Sequence, residues 1–525
     1  MSNKRPNILI VMTDQQRADY RKSRGYALDT MPFLDSFGKD GVDFNLAYTP
    51  NPTCMPARVS LFTGRYPSCH HVRTNHNAMD ATYSADLLDV MKGLGYRTAL
   101  CGKNHSHHED VDFDFHETCM HTGYQKDLLK TEDEKAFDDF MENTQHMEIH
   151  HPSPFGVEMQ YPYRNVSSTF RFIDECEGAP FFAWVSFAEP HNPFQVPEPY
   201  FNMFPPESLP EIRTGKKDTQ HKGEKWQWLR EQWEEVLVPD YDQRVLRARS
   251  NYLGMLRLID DQFRRLITGL EERNLRENTL VIFLSDHGDF GGEYGLLRKG
   301  PELPEVLTRI PLVIQGPGIG KQGVLDHACV NIVDILPTIC DYLSVETPLG
   351  VQGKSILPLL QMGTYPAHEY DIAYSESGFS GLYWNHEDGL TPYDEGARNP
   401  YCTFDCLDTW TQSGQVRMVR KGDWKIQVDM MGSTYLYNLK SDPLETINLA
   451  GRKEYTAVMT EMLTELAAAM MKACDPLPVP HFRYRTKLHP KGFWHDEAWH
   501  CEDMGVRKEP PMRAYSSHSS EKTKS

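Results

Sequence analysis

The stretch Asn7-Ile8-Leu9-Ile10-Val11-Met12-Thr13-Asp14-Gln15 joins an unbroken apolar run to a polar end. Consecutive apolar residues over the length of a strand are typical of a parallel strand that is buried on both faces of its sheet. In open α/β sheets, ligands bind outside the carboxyl ends of such strands. The stretch therefore predicts an α/β fold and places Asp14 and Gln15 at a ligand-binding edge.

Three further segments repeat this pattern of an apolar run followed by polar residues. The predicted strands are residues 96–101, 181–187 and 280–284. Their polar ends are Gly102-Lys103-Asn104-His105, Ala188-Glu189-Pro190-His191 and Ser285-Asp286-His287-Gly288-Asp289. Helical patterns lie between the strands, at residues 30–34, 85–94 and 247–273. This alternation predicts one mostly parallel sheet whose carboxyl edge collects the polar ends.

The C-terminal part of the chain has a different pattern. Residues 416–428 and 434–439 read as short strands, and a helix follows at about residues 455–474. We interpret this region as a smaller α+β domain. The predicted domains are a catalytic α/β domain over residues 1–370, the α+β domain over residues 371–475 and an extension over residues 476–525.

Residues 191–247 interrupt the alternation of strands and helices. They are rich in Pro, Glu, Lys and Trp, with one helical pattern near residues 226–236. We predict that this segment is an excursion on the surface of the protein.

Charge and hydropathy exclude several kinds of partner. The 525 residues carry a formal net charge of −19, and the chain lacks any run of the ~18 to 20 apolar residues that a membrane span needs. The negative charge argues against nucleic acids and anionic membranes as partners. It would also repel an anionic substrate, so an anion site requires a local cluster of cations.

The cysteines favour a reducing compartment. Eleven of them are scattered without a CxxC pair or the spacing of a zinc site, which favours free thiols over a disulfide framework. The apolar run at residues 8–12 is too short for the core of a signal peptide. We therefore expect a cytoplasmic protein.

The most specific motif lies at residues 54–65, which read Cys54-Met55-Pro56-Ala57-Arg58-Val59-Ser60-Leu61-Phe62-Thr63-Gly64-Arg65. This run resembles the CxPxR signature and the following Thr-Gly-Arg of the type I sulfatases, a family of the alkaline phosphatase superfamily. In that family a maturation enzyme oxidises the Cys to formylglycine, an aldehyde whose hydrate is the nucleophile. The resemblance implies that Cys54 is not a thiol in the working enzyme.

The resemblance covers most of residues 7–450. Gly102-Lys103-Asn104-His105 is similar to the family's GKxH, Pro190-His191 to its PHxPF, and Lys299 stands in Arg298-Lys299-Gly300-Pro301. The family fold that this implies is a large, mixed, mostly parallel sheet flanked by helices, with a smaller C-terminal α+β domain.

A divalent cation is the expected cofactor. Asp14, Asp286, His287 and residue 54 are the implied ligands, with Gln15 as a weaker candidate. An oxygen-rich set suits a hard cation, so calcium is expected, and magnesium or manganese are the alternatives.

Five further residues receive catalytic roles from the resemblance. Arg58 would hold the hydrate with the metal, and Lys103 and Lys299 would neutralise the equatorial oxygens of the transferred group. His191 would donate a proton to the leaving alcohol, and His105 would deprotonate the second hydroxyl of the hydrate.

Several other polar and aromatic residues are candidates for binding the substrate or lining the pocket. The loop after the signature offers His71, Arg73 and Asn75 as substrate-binding residues. Tyr383-Trp384 with His386 would either line the mouth of the pocket from the second domain or serve in packing. Paired histidines in loops are expected to be exposed rather than to bind a metal; these are His70, His71, His107, His108, His150 and His151.

Three functions remain open. A sulfatase that acts on a small sulfated sugar or an aryl sulfate is preferred, and the chain is compatible with a homo-oligomer. His287 stands where many sulfatases carry Asn and where phosphonate monoester hydrolases carry His, so a phosphonate monoester or phosphodiester hydrolase is the alternative. A catalytically inactive binding protein on the same scaffold would have lost the Cys, metal or His positions, and all of these are present.

Overall fold

The computed structural model describes residues 5–124, 130–144, 146–237, 239–379, 414–474 and 494. The strands of the described residues are β1 (Asn7–Thr13), β2 (Val42–Tyr48), β3 (Arg97–Gly102), β4 (Phe115–Met120), β5 (Gly123–Tyr124), β6 (Phe181–Ser186), β7 (Thr279–Ser285), β8 (Arg309–Gln315), β9 (Gly323–Asn331), β10 (Ile372–Ser377), β11 (Val416–Lys421), β12 (Trp424–Asp429) and β13 (Thr434–Asn438). The four predicted strands are present with helices between them, and over the described residues the structure adds further strands, of which β4 and β5, and also β8 and β9, follow one another without an α-helix between them.

The helices fall between and after these strands. They are α1 (Pro32–Lys39), α2 (Cys54–Thr63), α3 (Pro67–His70), α4 (Leu87–Gly93), α5 (Glu132–Asn143), α6 (Tyr161–Glu175), α7 (Tyr200–Met203), α8 (Glu224–Leu237), α9 (Tyr241–Glu272), α10 (Glu305–Thr308), α11 (Ile335–Tyr342), α12 (Leu357–Leu360) and α13 (Thr456–Ala473). The longest, α9, begins at Tyr241 rather than at residue 247, because its apolar stripe starts at Val245.

Within the described residues, nine strands form the main sheet in the order β5-β4-β3-β6-β1-β7-β8-β2-β9. The central strands β3, β6, β1 and β7 run parallel to one another, and β8 is antiparallel to both of its neighbours. The prediction of a large, mixed, mostly parallel sheet is confirmed.

Both faces of the sheet are covered. Along β1, Leu9 and Val11 face one apolar core and Ile8, Ile10 and Met12 face another. The first core contains side chains of α1, α6 and α9, and the second contains side chains of α2, α4 and α11. Burial on two faces explains why this strand is apolar at consecutive positions.

A second sheet follows near the C-terminus. Strands β10, β11, β12 and β13 pair antiparallel in that order, and α13 packs against it through residues such as Met462 and Leu466. The α+β region is thus confirmed, while its limits at residues 371 and 475 stay predictions. The aromatic group Tyr383, Trp384 and His386 lies outside the described residues, as does the predicted extension apart from Trp494.

The prediction that residues 191–247 form a surface excursion is wrong. Trp226, Leu229 and Trp233 of α8 are buried and belong to the first apolar core. Their spacing puts them on one face of the helix, and the charged residues that dominated the composition occupy the other positions. Over the described residues, the structure contains no helix that is long and apolar enough to cross a membrane.

Candidate active site

The carboxyl ends of four parallel strands meet at one edge of the main sheet. Thr13 of β1 pairs with Ser285 of β7, and Ser186 of β6 pairs with both Met12 of β1 and Gly102 of β3. The residues that follow these strands therefore enter the same space. They include Asp14, Lys103, His191 and Asp286, each of which is buried.

Close approach of backbones fixes the position of Lys103. Gly102 has a φ of 113°, and a Cβ atom there would lie 2.0 Å from the carbonyl oxygen of Ser186. The Lys103 N–H donates to that same carbonyl oxygen at 2.8 Å. Glycine is required at position 102 because any side chain would collide with β6.

The signature run forms α2 and points its first turn at the sheet edge. All ten residues from Cys54 to Thr63 are buried. Cys54 and Arg58 are four residues apart, so they share one face of the helix. The helix ends at Gly64, whose φ of 62° is left-handed and whose Cβ would lie 2.8 Å from Val351 Cγ1.

Arg58 ties the helix to three strands of the sheet. Its Nε donates to Asp286 Oδ2 at 2.9 Å, one Nη donates to Asp14 Oδ2 at 3.2 Å, and the other donates to Ser186 Oγ at 2.7 Å. The guanidinium is fully buried. It therefore fixes the two carboxylates and residue 54 relative to one another.

Four donor groups converge beside residue 54. One atom each of Asp14, Cys54, Asp286 and His287 lies within 4.8 Å of the others, and all four residues are buried. Cys54 Sγ is 3.2 Å from His287 Nε2 and 3.6 Å from Asp14 Oδ1. We name this group the edge cluster.

The electrostatics of the edge cluster fit a cation. Burial, together with the negative charge of Asp14, raises the pKa of Asp286 above its usual value. The pKa of Asp14 is lowered well below its usual value because Lys103 and Arg58 outweigh the effect of burial. Two buried carboxylates, an imidazole and residue 54 are a donor set that would hold one divalent cation, and the cation would relieve the repulsion between the carboxylates.

Cys54 lies in an electropositive environment. Burial and Asp14 act to raise the pKa of the thiol, but Lys103, Lys299 and His287 outweigh them and lower it to about 6. By contrast, burial raises the pKa of Cys101, at the end of β3, to about 12. The position of residue 54 is thus built to stabilise negative charge.

Lys103 and Lys299 approach the site from two sides. Lys103 Nζ pairs with Asp14 Oδ2 and lies 2.9 Å from His121 Nε2. Lys299 Nζ lies 3.4 Å from both Gln15 Oε1 and His191 Nε2. Together with Arg58, these two side chains form the local cluster of cations that an acidic protein needs in order to bind an anion.

Gln15 is held by a buried carboxylate. Its backbone N–H donates to Asp286 Oδ1 at 3.0 Å, and its Nε2 donates to Asp289 Oδ2 at 2.6 Å. Burial raises the pKa of Asp289 to about 6. The amide of Gln15 therefore connects Asp289 to Lys299 at the border of the edge cluster.

Two histidines of the site have depressed pKa values. Burial, with Lys103 and Arg58, lowers the pKa of His105, and its Nδ1 has no hydrogen-bond partner among the described residues. Burial, with Lys299 and Lys103, lowers the pKa of His191, whose Nδ1 lies 2.6 Å from the Asn192 carbonyl oxygen. Both rings are therefore neutral near pH 7 and can accept a proton.

The predicted substrate-binding loop is only partly joined to the signature. Asn75 Oδ1 accepts a hydrogen bond from the Met55 N–H at 3.1 Å, next to residue 54. His71 is exposed, with its Nδ1 3.1 Å from Thr82 Oγ1, and Arg73 is half-buried. Their role in binding a substrate stays a prediction.

Sequence reasoning missed His121. Its ring stacks on that of His191, with centroids 3.7 Å apart and planes 16° apart. His121 follows β4, and the same rule of polar residues at strand ends would have found it. The strand itself was not predicted, because Phe115-His116-Glu117-Thr118-Cys119-Met120 has little apolar character.

The prediction that the paired histidines are exposed is wrong for three of them. His70 is fully buried, and its Nε2 lies 2.9 Å from Ser60 Oγ. The side chains of His107 and His108 are 3% and 8% exposed. All three rings are held by polar partners or by aromatic packing, which the sequence spacing does not reveal. His150 has a side chain that is 56% exposed, as predicted.

Comparisons of the sequence with known proteins relate this chain to sulfatases. A family model described as Sulfatase matches residues 6–345. An arylsulfatase of Clostridium perfringens (strain 13 / Type A) is 27% identical over 483 residues, which are 86% of this chain and 91% of that protein.

Solved structures share the fold. A phosphonate monoester hydrolase of Agrobacterium radiobacter superimposes with a TM-score of 0.72 at 23% identity, covering 89% of this chain and 96% of that one. A 2-O GAG sulfatase superimposes with a TM-score of 0.66 at 18% identity, covering 90% of this chain and 93% of that one.

Proposed function

The chain belongs to the sulfatase family, the sulfuric ester hydrolases, and we propose that it hydrolyses a sulfate monoester with a formylglycine at position 54 and one divalent cation. One observation carries the proposal. The side chain of residue 54 is one of the four donors that suit a cation, and it lies beside three buried basic side chains that suit an anion. A sulfate ester in contact with these basic groups would place its sulfur next to residue 54.

Asp14, Asp286, His287 and residue 54 would hold the cation, with Gln15 beside them. The cation supplies positive charge that lowers the pKa of a hydroxyl bound to it. Calcium is the proposed ion because two carboxylates dominate the donors, and magnesium and manganese are the alternatives. His287 would bind a cation through its neutral ring, so cation binding should weaken at low pH, where the ring is protonated.

A formylglycine hydrate offers two hydroxyls at position 54, and each of the surrounding residues would have a separate role in the reaction. Arg58 orients residue 54 through its bonds to Asp14 and Asp286. Lys103 and Lys299 bind the sulfate oxygens and stabilise the charge that shifts onto them. His191 protonates the oxygen of the leaving alcohol, and His105 takes the proton of the second hydroxyl through its free Nδ1.

His191 must gain a proton before it can donate one. Because burial and the two lysines keep its ring neutral, the bound sulfate has to offset their charge. The negative charge of the substrate raises the pKa of His191 in the complex, so protonation of this ring is coupled to substrate binding.

A specific observation favours a second candidate function, the hydrolysis of phosphonate monoesters or phosphodiesters. His287 is one of the four donors, and the neighbour with a TM-score of 0.72 is a phosphonate monoester hydrolase. Phosphonate monoesters and phosphodiesters carry one negative charge, like sulfate monoesters. Three basic side chains and one cation would therefore bind all of these substrates, and the shape of the pocket would discriminate among them.

The test is a comparison of matched aryl esters. We expect kcat/KM to be highest for the aryl sulfate, with weaker activity on the aryl phosphodiester and phosphonate. A preference for either phosphorus ester of more than about tenfold, or about 1.4 kcal/mol in transition-state stabilisation, would replace the sulfatase proposal with the alternative. Weak activity on every aryl ester would direct the same comparison to small sulfated sugars.

We further propose how Cys54 is modified, which class of substrate the protein uses and in which compartment it acts. A formylglycine-generating enzyme would modify Cys54, and the substrate would be a small sulfated sugar or aryl sulfate. The eight cysteines that the structure records as free include seven buried ones, which supports a reducing compartment such as the cytoplasm.

A further inference from the structure

A second group of metal-type donors lies away from the edge cluster. Asp86 caps the N-terminus of α4, where its Oδ1 accepts a hydrogen bond from the Asp89 N–H at 3.1 Å. Its other oxygen, Oδ2, lies 2.9 Å from His107 Nε2 and 2.7 Å from His108 Nε2. One donor atom of each residue lies within 4.8 Å of the other two. We name Asp86, His107 and His108 the loop cluster.

The loop cluster is buried and incompletely satisfied. The Asp86 side chain is fully buried, and those of His107 and His108 are almost so. His108 Nε2 lies 2.7 Å from Asp86 Oδ2 but falls outside good hydrogen-bond geometry among the described residues. This buried nitrogen is therefore only partly satisfied by the carboxylate, and a cation bound between the two groups would satisfy both.

The donor chemistry selects the kind of ligand. Two imidazole nitrogens and one carboxylate oxygen are typical of zinc and related transition cations, whereas calcium and magnesium prefer oxygen ligands. Asp112 Oδ2 lies 3.6 Å from His108 Nδ1, beyond hydrogen-bond distance, and adds negative charge beside the ring.

The distances are close to those of a metal site. Ligand atoms on a tetrahedral zinc ion are about 3.3 Å apart. The distances of 2.9 Å and 2.7 Å from Asp86 Oδ2 are shorter by about half an ångström. The contact between His107 and Asp86 is a hydrogen bond, so both imidazoles would have to move away from the carboxylate to admit a cation. The aromatic ring of Phe62 packs beside His108, with the two centroids 5.0 Å apart.

The cluster joins α4 to the loop that carries two predicted catalytic residues. His107 and His108 follow Lys103 and His105 in the same loop. Within the loop, Asn104 Nδ2 donates to the His108 carbonyl oxygen at 2.9 Å. A Nη of Arg58 donates to the Lys103 carbonyl oxygen at 3.2 Å. A cation at the loop cluster would therefore hold in place the segment that presents His105 to residue 54.

We propose that Asp86, His107 and His108 bind one divalent transition cation of the zinc type, separate from the cation of the edge cluster. The site is structural, because its residues hold a loop and do not reach residue 54. It does not depend on the proposed sulfatase activity, since the residues that bind this cation are distinct from those of the edge cluster.

The experiment counts bound cobalt on the full-length, metal-stripped protein. Cobalt(II) replaces zinc and gives visible absorption bands when bound by nitrogen and oxygen ligands. Asp286→Ala is the background, because it removes a carboxylate from the edge cluster. We expect one equivalent of cobalt with visible bands in Asp286→Ala, and a loss of affinity of at least about tenfold when His108→Gln is added. Competition with zinc should abolish the bands.

His150→Gln is the matched control. His150 lies beside Glu148, with its Nε2 3.3 Å from Glu148 Oε1, but it is exposed. This variant should keep the cobalt stoichiometry and affinity of its background. His107→Gln provides an independent removal of one ligand, should His108→Gln prevent folding.

Thermal unfolding detects zinc binding directly, without the visible absorption bands of cobalt. Zinc should raise the Tm of Asp286→Ala and leave the Tm of Asp286→Ala/His107→Gln unchanged, because a ligand stabilises only the state that binds it. The proposal is overturned if Asp286→Ala binds no cobalt, or if the His107 and His108 variants bind it with the affinity of their background.

Discussion

The edge cluster and the loop cluster are built from similar donors but in different surroundings. Both combine buried carboxylates with histidines. In the edge cluster, the carboxylates pair with Arg58 and Lys103, and Lys299 stands nearby. In the loop cluster, Asp86 contacts two imidazoles and a backbone N–H.

The difference lies in what each cluster offers to a substrate. Under the proposed function, the basic side chains around the edge cluster would stabilise an anion beside a bound cation, which is what group transfer requires. The loop cluster has donors for a cation but places them in a loop and a helix cap. Metal-type donors alone therefore do not make a catalytic centre. The charged side chains around the donors determine whether a cluster can also bind an anionic substrate.

The largest effect should come from residue 54. Cys54→Ala should lower kcat by at least about 10⁴-fold, because it removes the nucleophile. Cys101→Ala is the matched control, since Cys101 is also buried but its pKa is raised to about 12 by burial. Circular dichroism and Tm should stay close to those of the parent for both variants. Equal activity of the two variants would contradict the role of Cys54.

The second-largest loss of activity should come from substitution of Asp286. Asp286→Ala should lower kcat/KM on the order of 10³-fold, because it removes a charged ligand and the partner of Arg58 Nε. Gln15→Ala should cost only about 10- to 100-fold, since its amide is neutral and also bonds to Asp289. Exhaustive chelation should abolish the parent's activity, and calcium, magnesium or manganese should restore it. A chelated parent that keeps its full rate would exclude the metal.

Lys299 tests the electrostatic part of the comparison. Lys299→Met should lower kcat/KM about 10²-fold because a stabilising charge is lost. Lys299 also lowers the pKa of His191, after burial, so its removal raises that pKa. A general acid must be protonated, so the loss of kcat/KM at high pH should move to higher pH in Lys299→Met. Lys299→Arg keeps the charge and should keep the pH profile of the parent. Identical profiles for Met and Arg would contradict the assignment.

The loop cluster should have a smaller effect on turnover. His108→Gln should lower kcat by less than about tenfold, because the cluster holds the loop of His105 but does not touch residue 54. The loss should be larger at high temperature, where the loop opens more often. A loss as large as that of Asp286→Ala, measured with saturating calcium, would mean that the two clusters are not distinct in role.

The smallest effect concerns stability against acid. Burial, with His191 and Lys103, lowers the pKa of His121 well below its usual value. An unfolded chain binds a proton to this ring below about pH 6.5, while the folded chain does not, so stability falls as the pH falls below that value. His121→Asn should flatten the fall of Tm between about pH 6.5 and pH 5. His150→Gln, which changes an exposed ring, should leave the slope unchanged.

Much of the catalytic edge could be predicted because the strands that build it are buried on both faces. Strands β1, β3, β6 and β7 appear as apolar runs in the sequence, and the polar residue after each run is a residue of the site. Asp14, Lys103, His191 and Asp286 were expected at one edge of the sheet for this reason, and the resemblance to the sulfatases singled them out among the polar residues there. Their proximity follows from the parallel register, which is a general property of such sheets.

Other features could not be predicted because they depend on distant partners. His121 follows a strand with mixed polarity, so no apolar run pointed to it. His107 and His108 contact Asp86, which caps α4 and lies some twenty residues earlier in the chain, and their rings pack against Phe62. The aromatic face of α8 was hidden by the charged residues around Trp226 and Trp233. In each case the feature depends on a contact with a residue that is distant in sequence, and the composition of a short segment does not reveal such a contact.

The most direct test of the account is to quantify formylglycine at position 54 together with activity. The protein should be produced with graded amounts of a maturation enzyme, and the peptide that contains Cys54 measured by mass spectrometry. We expect specific activity toward an aryl sulfate to rise in proportion to the formylglycine fraction and to vanish at zero. Full activity in protein whose residue 54 is entirely cysteine would contradict the account.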